Sequence, residues 1–172
     1  MIAAMIALGG EIVADMLDAS TGASTGDDAT LRDPDSTDDA TPPWHFWAVA
    51  AVGLLWNSFG ALDYTMTQLR SPAWIGQIDA DMLAKLDSAP IWATSAWALG
   101  VWGSFVGAVL LLVRSRHAGT AFAVSFGAAL ISFAWQYAAG LVATPILPLA
   151  ILTAVAFFWW YASTMRSDGV LT

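Results

Sequence analysis

The sequence predicts an all-α, polytopic membrane protein: a four-helix transmembrane bundle preceded by an acidic, disordered N-terminal tail. Three observations lead there. Of the 172 residues, 58% are hydrophobic and only 12% charged, about half the charged share of an average soluble domain. Uncharged runs of 25 and 48 residues span 89–113 and 118–165. A bilayer core takes roughly 20 apolar residues per helix, so the longer run is two crossings. With a further apolar run ending near Asp63, the count is four.

The charge is segregated. The net charge is −8, and residues 1–43 hold nine of the fourteen acids with Arg32 as their one base, whereas residues 44–172 hold five acids and five bases. The membrane body is neutral and the imbalance lies in the tail. Nucleic acid, which is bound by clustered Lys and Arg, is excluded as a partner. With no cysteine in the chain, disulfides, thiol catalysis and Cys-ligated metals are excluded as well.

In chain order, residues 2–17 allow a short amphipathic helix. The stretch lacks a basic leading region and is interrupted by Glu11 and Asp15, so it does not read as a signal peptide. Residues 19–43 are rich in Ser, Thr, Asp and Ala, bury almost nothing, and are expected to stay disordered. Deletion of residues 1–40 is expected to leave the bundle folded. Helix one is predicted over 44–64, after Pro42 and Pro43. A short surface helix follows over 79–88, capped by Asp79, with Met82, Leu83 and Leu86 on its apolar side. Helices two, three and four are predicted over 91–113, 119–139 and 148–165. Lys and Arg near the helix ends orient the bundle. Arg32, Arg114, Arg116 and Arg166 mark one side, and Arg70 and Lys85 the other. Both termini are therefore predicted cytoplasmic. Trp44, Trp47, Trp159, Trp160 and Tyr161 are expected as the aromatic belt on that side, and Tyr64, Trp74, Trp92, Trp135 and Tyr137 as the belt opposite.

Polar and small residues inside apolar helices mark contacts or sites. At about 100° per residue, Gly53, Asn57, Gly60 and Tyr64 fall on one stripe of helix one, and Asp63 points about 120° away from Asn57. Helix two carries Ala96, Gly100, Gly103, Ser104 and Gly107, where Gly103-x-x-x-Gly107 lets backbones approach closely. Helix three carries Ser125, Ala129, Ser132 and Gln136. One reading is packing, with the small faces meeting at the centre and Asn57 and Gln136 hydrogen-bonding across helices. The other is a polar cavity lined by Asn57, Tyr64, Ser125, Ser132 and Gln136. Asp63, an ionisable residue at a helix end, reads as an interface marker within reach of Arg70 and water, or as a proton or cation site. His45 and His117 lie at helix ends, too shallow to ligate haem. Catalytic motifs are missing: no H-E-x-x-H, no phosphate-cradling glycine loop, and no Ser/His/Asp set at one membrane level. No catalytic residue, metal site or cofactor is therefore expected.

The stretches LLWNSFGALDYTMTQ, APIWATSAWALGVWGSFVGAVLLLVRSRHA and YASTMRSDGVL resemble a family of small, uncharacterised four-helix bacterial inner-membrane proteins, some labelled sugar-transporter-like. The resemblance covers residues 44–171 and implies topology, with Trp56, Asn57, Gly60, Asp63 and Tyr64 as its pattern on helix one. The expected function is that of a non-enzymatic accessory or structural subunit, partnered by the lipid bilayer and by a membrane protein or further copies of itself. A small-solute carrier or channel working as an oligomer is the alternative; a membrane enzyme or cofactor protein has the least support.

Overall fold

The structure, a computed structural model, describes residues 42–142 and 144–172. The acidic tail, the helix expected over 2–17 and Arg32 lie outside the described residues. Six helices follow in order: α1 (Trp44–Gln68), α2 (Pro72–Ile75), α3 (Ala80–Asp87), α4 (Ile91–Leu112), α5 (Ala118–Ala138) and α6 (Ile146–Ser167). Among the described residues there is no strand, and α1, α4, α5 and α6 are each long and apolar enough to cross a membrane.

The observed bounds lie within four residues of those expected, and two of the differences have a clear local reason. α1 continues one turn past Tyr64, to 25 residues and about 37 Å. Its last turn is polar but satisfied: the hydroxyls of Thr65 and Thr67 donate to the carbonyls of Ala61 and Asp63 at 2.6 and 2.8 Å. Loss of apolarity near Asp63 therefore does not end the helix. α6 begins at Ile146, two residues before the expected Pro148. Pro148 falls in the first turn, whose N–H groups have no intrahelical acceptor, so its missing donor costs nothing there. Pro43, Pro90 and Pro145 precede α1, α4 and α6 as N-caps.

The four long helices end alike. At each end the second residue past the helix is left-handed (Arg70, Arg114, Gly140 and Gly169, with φ of 56°, 59°, 68° and 73°). The following N–H groups, of Ser71, Ser115, Leu141 and Val170, return to the carbonyls of Met66, Leu110, Gln136 and Met165. This is the Schellman arrangement, which satisfies otherwise orphaned carbonyls.

Packing runs α1 to α4, α4 to α5 and α5 to α6. The α4–α5 seam is built from small residues. A Cβ added at Gly100, Gly103 or Gly107 would meet Ala129, Ser125 or Phe122 at 3.3, 3.2 and 3.1 Å, so the two helices run antiparallel in close approach. Larger groups bring α1 to α6: Gly53 lies under the ring of Phe158, and His45 Nδ1 is 3.2 Å from the Tyr161 hydroxyl. Tyr161, expected in the interfacial belt, is instead buried in this contact, whereas Trp44, Trp47, Trp159 and Trp160 are exposed.

The interior has two halves of different character. At the end holding the 113–117 turn it is apolar, filled by Phe46, Leu111, Phe122, Phe158, Tyr161 and Met165. Phe122 and Phe158 stack there with centroids 5.6 Å apart. Val170 and Leu171, beyond α6, complete this core, and the N–H of Thr172 donates to the Arg114 carbonyl at 2.9 Å. Towards the 69–90 connection the buried residues are mostly small or polar, namely Asn57, Ala61, Ala93, Gly100 and Ser132, with Leu141 the large apolar exception.

Candidate functional site

The polar half of the interior opens into a cleft of about 50 Å³ under the 69–90 connection. Its walls come from Thr67 on α1, Thr94 and Trp97 on α4, and Ser132, Trp135 and Gln136 on α5, and Leu83, Leu86 and Arg70 cover it. Each piece has a local cause. α3 is amphipathic and turns Leu83 and Leu86 inward while Met82 stays exposed. Asp79 caps it, accepting from the Asp81 N–H at 3.2 Å, the role that residue type has at an N-cap. Lys85 pairs with Asp81 at 3.0 Å.

Two ties hold the cover down. Asp63 Oδ1 accepts from the indole N–H of Trp74 at 2.8 Å, joining α1 to α2. Arg70 pairs with Asp87 at the end of α3. Asp63 is therefore a fastening for α2 rather than a partner of Arg70. Tyr64 is half-buried and meets the ring of Trp97 edge-on at 4.9 Å, fixing α1 against α4 at the mouth of the cleft.

The residues singled out on the helices divide between seam and cleft. Gly100, Gly103, Gly107 and Ser125 form the α4–α5 seam. The Ser125 hydroxyl donates to the Gly100 carbonyl at 2.5 Å, a hydrogen bond between helices. Ser132 and Gln136 line the cleft, and Gln136 Nε2 donates to the Ser132 hydroxyl at 3.0 Å. Asn57 is buried, but its Nδ2 donates to the Gly53 carbonyl at 2.7 Å, one turn back on α1. The expected cross-helix hydrogen bonds of Asn57 and Gln136 are thus replaced by bonds within their own helices. A side chain with an acceptor four residues earlier finds it without any neighbouring helix. Gly60 has open space around it, with nothing within 4 Å of an added Cβ. Asn57, Tyr64 and Ser125 are not among the residues that line this cleft, whereas Ser132 and Gln136 are.

Thr67, Thr94 and Trp97 belong to the cleft and escaped the sequence reading, and Trp135, expected in the interfacial belt, lines the cleft as well. Thr67 fell beyond the expected end of helix one. Thr94 and Trp97, three residues apart, share a face of α4, a signal hidden beside the stronger glycine stripe.

A cleft of 50 Å³ has room for about three waters, far below the roughly 300 Å³ of a small-molecule pocket. Its Ser, Thr and Gln groups suit water and exchange of hydrogen bonds. Among the described residues no group of three or more His, Asp or Glu stands close enough to hold a metal ion. No family model, curated protein or solved structure matches the chain.

Proposed function

We propose that the chain is a multi-pass protein of a bacterial inner membrane that acts without catalysis, as an accessory or structural subunit working through helix–helix contacts. The observation that carries this reading is the division of surface from interior. Large apolar side chains stand exposed along all four long helices, among them Leu55, Leu99, Trp102, Ile131, Leu149 and Trp160. Water does not tolerate such continuous apolar surface; lipid or partner helices do. Polar side chains inside are meanwhile committed to the protein's own carbonyls and hydroxyls, as at Asn57, Ser125 and Gln136. The resemblance to small four-helix bacterial membrane proteins points the same way.

The test is extraction in mild detergent, followed by mass determination and identification of whatever co-purifies. A stoichiometric protein partner is expected; a lone monomer removes the subunit reading. Orientation is tested separately. The chain has no cysteine, so single substitutions such as His117→Cys and Gln77→Cys give unambiguous labelling. His117→Cys should be protected from an impermeant maleimide in intact cells and Gln77→Cys labelled; the reverse pattern inverts the topology.

The cleft favours one second reading, a small-solute carrier or channel assembled from several copies. Uptake into proteoliposomes that is lost on Gln136→Leu or Asn57→Leu would support it. Uptake unchanged by both would remove it.

A further inference from the structure

We propose that the groove between α5 and α6, at the end of the bundle holding the 113–117 turn, binds an anionic phospholipid. The groove is open to the surroundings and offers a volume of about 500 Å³. Its α5 wall is low because Gly119 and Ala123 have almost no side chain, and its α6 wall is Trp159, Ser163 and Arg166. At the base the helices nearly touch: a Cβ on Gly119 would sit 3.5 Å from the Ser163 hydroxyl. Further in, the rings of Phe126 and Trp159, 6.0 Å apart, close the groove.

One end of the groove is cationic and the other apolar. Arg166 is exposed in the last turn of α6, and Arg116 is exposed three residues before Gly119. Neither forms an ion pair among the described residues, whose two salt bridges both lie at the opposite end of the bundle. The acids point the same way. Of the five in residues 44–172, only Asp168 is at this end. The α5 N-terminus adds partial positive charge, since His117 at its N-cap makes no side-chain cap bond. Beyond the groove, α5 presents Val124 and Leu130 to the surroundings, both exposed. A free anion would use the guanidinium end alone. A phospholipid uses both, with its phosphate between Arg116 and Arg166 and an acyl chain along the apolar flank. Basic pockets between transmembrane helices on the cytoplasmic side take such headgroups, and exposed Trp159 and Trp160 suit the headgroup level.

This inference rests on the membrane reading above, and its test separates the two. The full chain in non-ionic detergent is offered equal amounts of phosphatidylglycerol and phosphatidylcholine with identical chains, and bound lipid is read by native mass spectrometry. Retention of phosphatidylglycerol is expected to exceed that of phosphatidylcholine roughly tenfold. The R116Q/R166Q variant should bring the two to parity, R116K/R166K should keep the preference, and R70Q, at the other end, should leave it intact. Equal retention by the wild type, an undiminished preference in R116Q/R166Q, or a protein bound in place of lipid overturns the proposal. Displacement of the lipid by soluble glycerol phosphate at matched concentration assigns the site to a free anion and overturns it too. Lipid parity in a chain that resists alkaline extraction from membranes sinks this inference alone. Release by alkali sinks the membrane reading with it.

Discussion

A methyl group added at Gly53 would stand 2.8 Å from Cε1 of Phe158, closer than real side chains pack, whereas one added at Gly60, two turns along the same helix, would touch nothing. Phe158 cannot yield easily, because it is buried and stacked on Phe122. Gly53→Ala is therefore expected to cost about 1–3 kcal/mol, the usual penalty for overpacking. Gly60→Ala should leave stability unchanged or raise it by up to about 1 kcal/mol, since glycine is the weaker helix former. Reversible unfolding in mixed micelles measures both; equal effects would place Gly53 away from Phe158. Ser125→Ala removes the hydrogen bond to the Gly100 carbonyl and should cost about 0.6 kcal/mol, the membrane average. A null result in that titration would mean that close backbone packing alone holds the α4–α5 seam. These stripes were legible as spacing. Which stripe faces which was not, because Asn57 and Gly60 share a face of α1 with Gly53, yet only Gly53 and Asn57 are buried.

Helix ends follow rules that the sequence half reveals. Gly140 and Gly169 occupy left-handed positions at no cost, but Arg70 and Arg114 do the same with side chains present, at about 1 kcal/mol each. Their side chains are anchored: Arg70 to Asp87, and Arg114 Nε to the Val170 carbonyl at 2.9 Å. The Arg70–Asp87 pair is solvent-exposed, and such pairs are worth roughly 0–1 kcal/mol. Arg70→Gly should accordingly change stability by less than about 0.5 kcal/mol, relief of strain offsetting the lost pair. Arg114→Gly should be the more damaging, because it also unfastens residues 170–172; the reverse order in denaturant titrations would refute this account of the tail. The connection over the cleft depends on one carboxylate. Asp63→Ala leaves the Trp74 indole without its acceptor. Proteolytic cleavage within 69–79 should then speed up several-fold while α1 itself stays protected. Asp63→Asn, which keeps an oxygen in place, should restore the wild-type rate. No sequence rule paired Asp63 with Trp74, eleven residues away across a turn.

Among the described residues the interior is apolar at one end and richer in small and polar groups at the other, and stability should follow that division. Phe158→Ala would open a cavity at the centre of the apolar end and is expected to cost about 3–5 kcal/mol. Leu171→Asp places a charge in the same core, where Leu171 is buried, and should loosen the α4–α5 turn; protection of the Arg116 amide from hydrogen exchange is the readout. Gln136→Leu, at the polar end, should cost less than 1 kcal/mol, a membrane hydrogen bond averaging about 0.6. A larger loss from Gln136→Leu than from Phe158→Ala would reverse the assignment of the core. Composition and run length by themselves determined the helical class, the four long apolar helices and the capped surface helix. Those properties depend on residues near in sequence: how much apolar surface a run carries, where proline is harmless, which side chain can cap. Tertiary structure alone decided the burial of Tyr161, the fastening of Trp74 by Asp63, the docking of Val170 and Leu171, and the inward turn of Asn57 onto its own helix. Where nearly every face of the long helices is apolar, hydrophobicity does not distinguish the exposed side from the buried one. Only the fit of particular shapes, a glycine beneath a phenyl ring or a hydroxyl against a carbonyl, separates them.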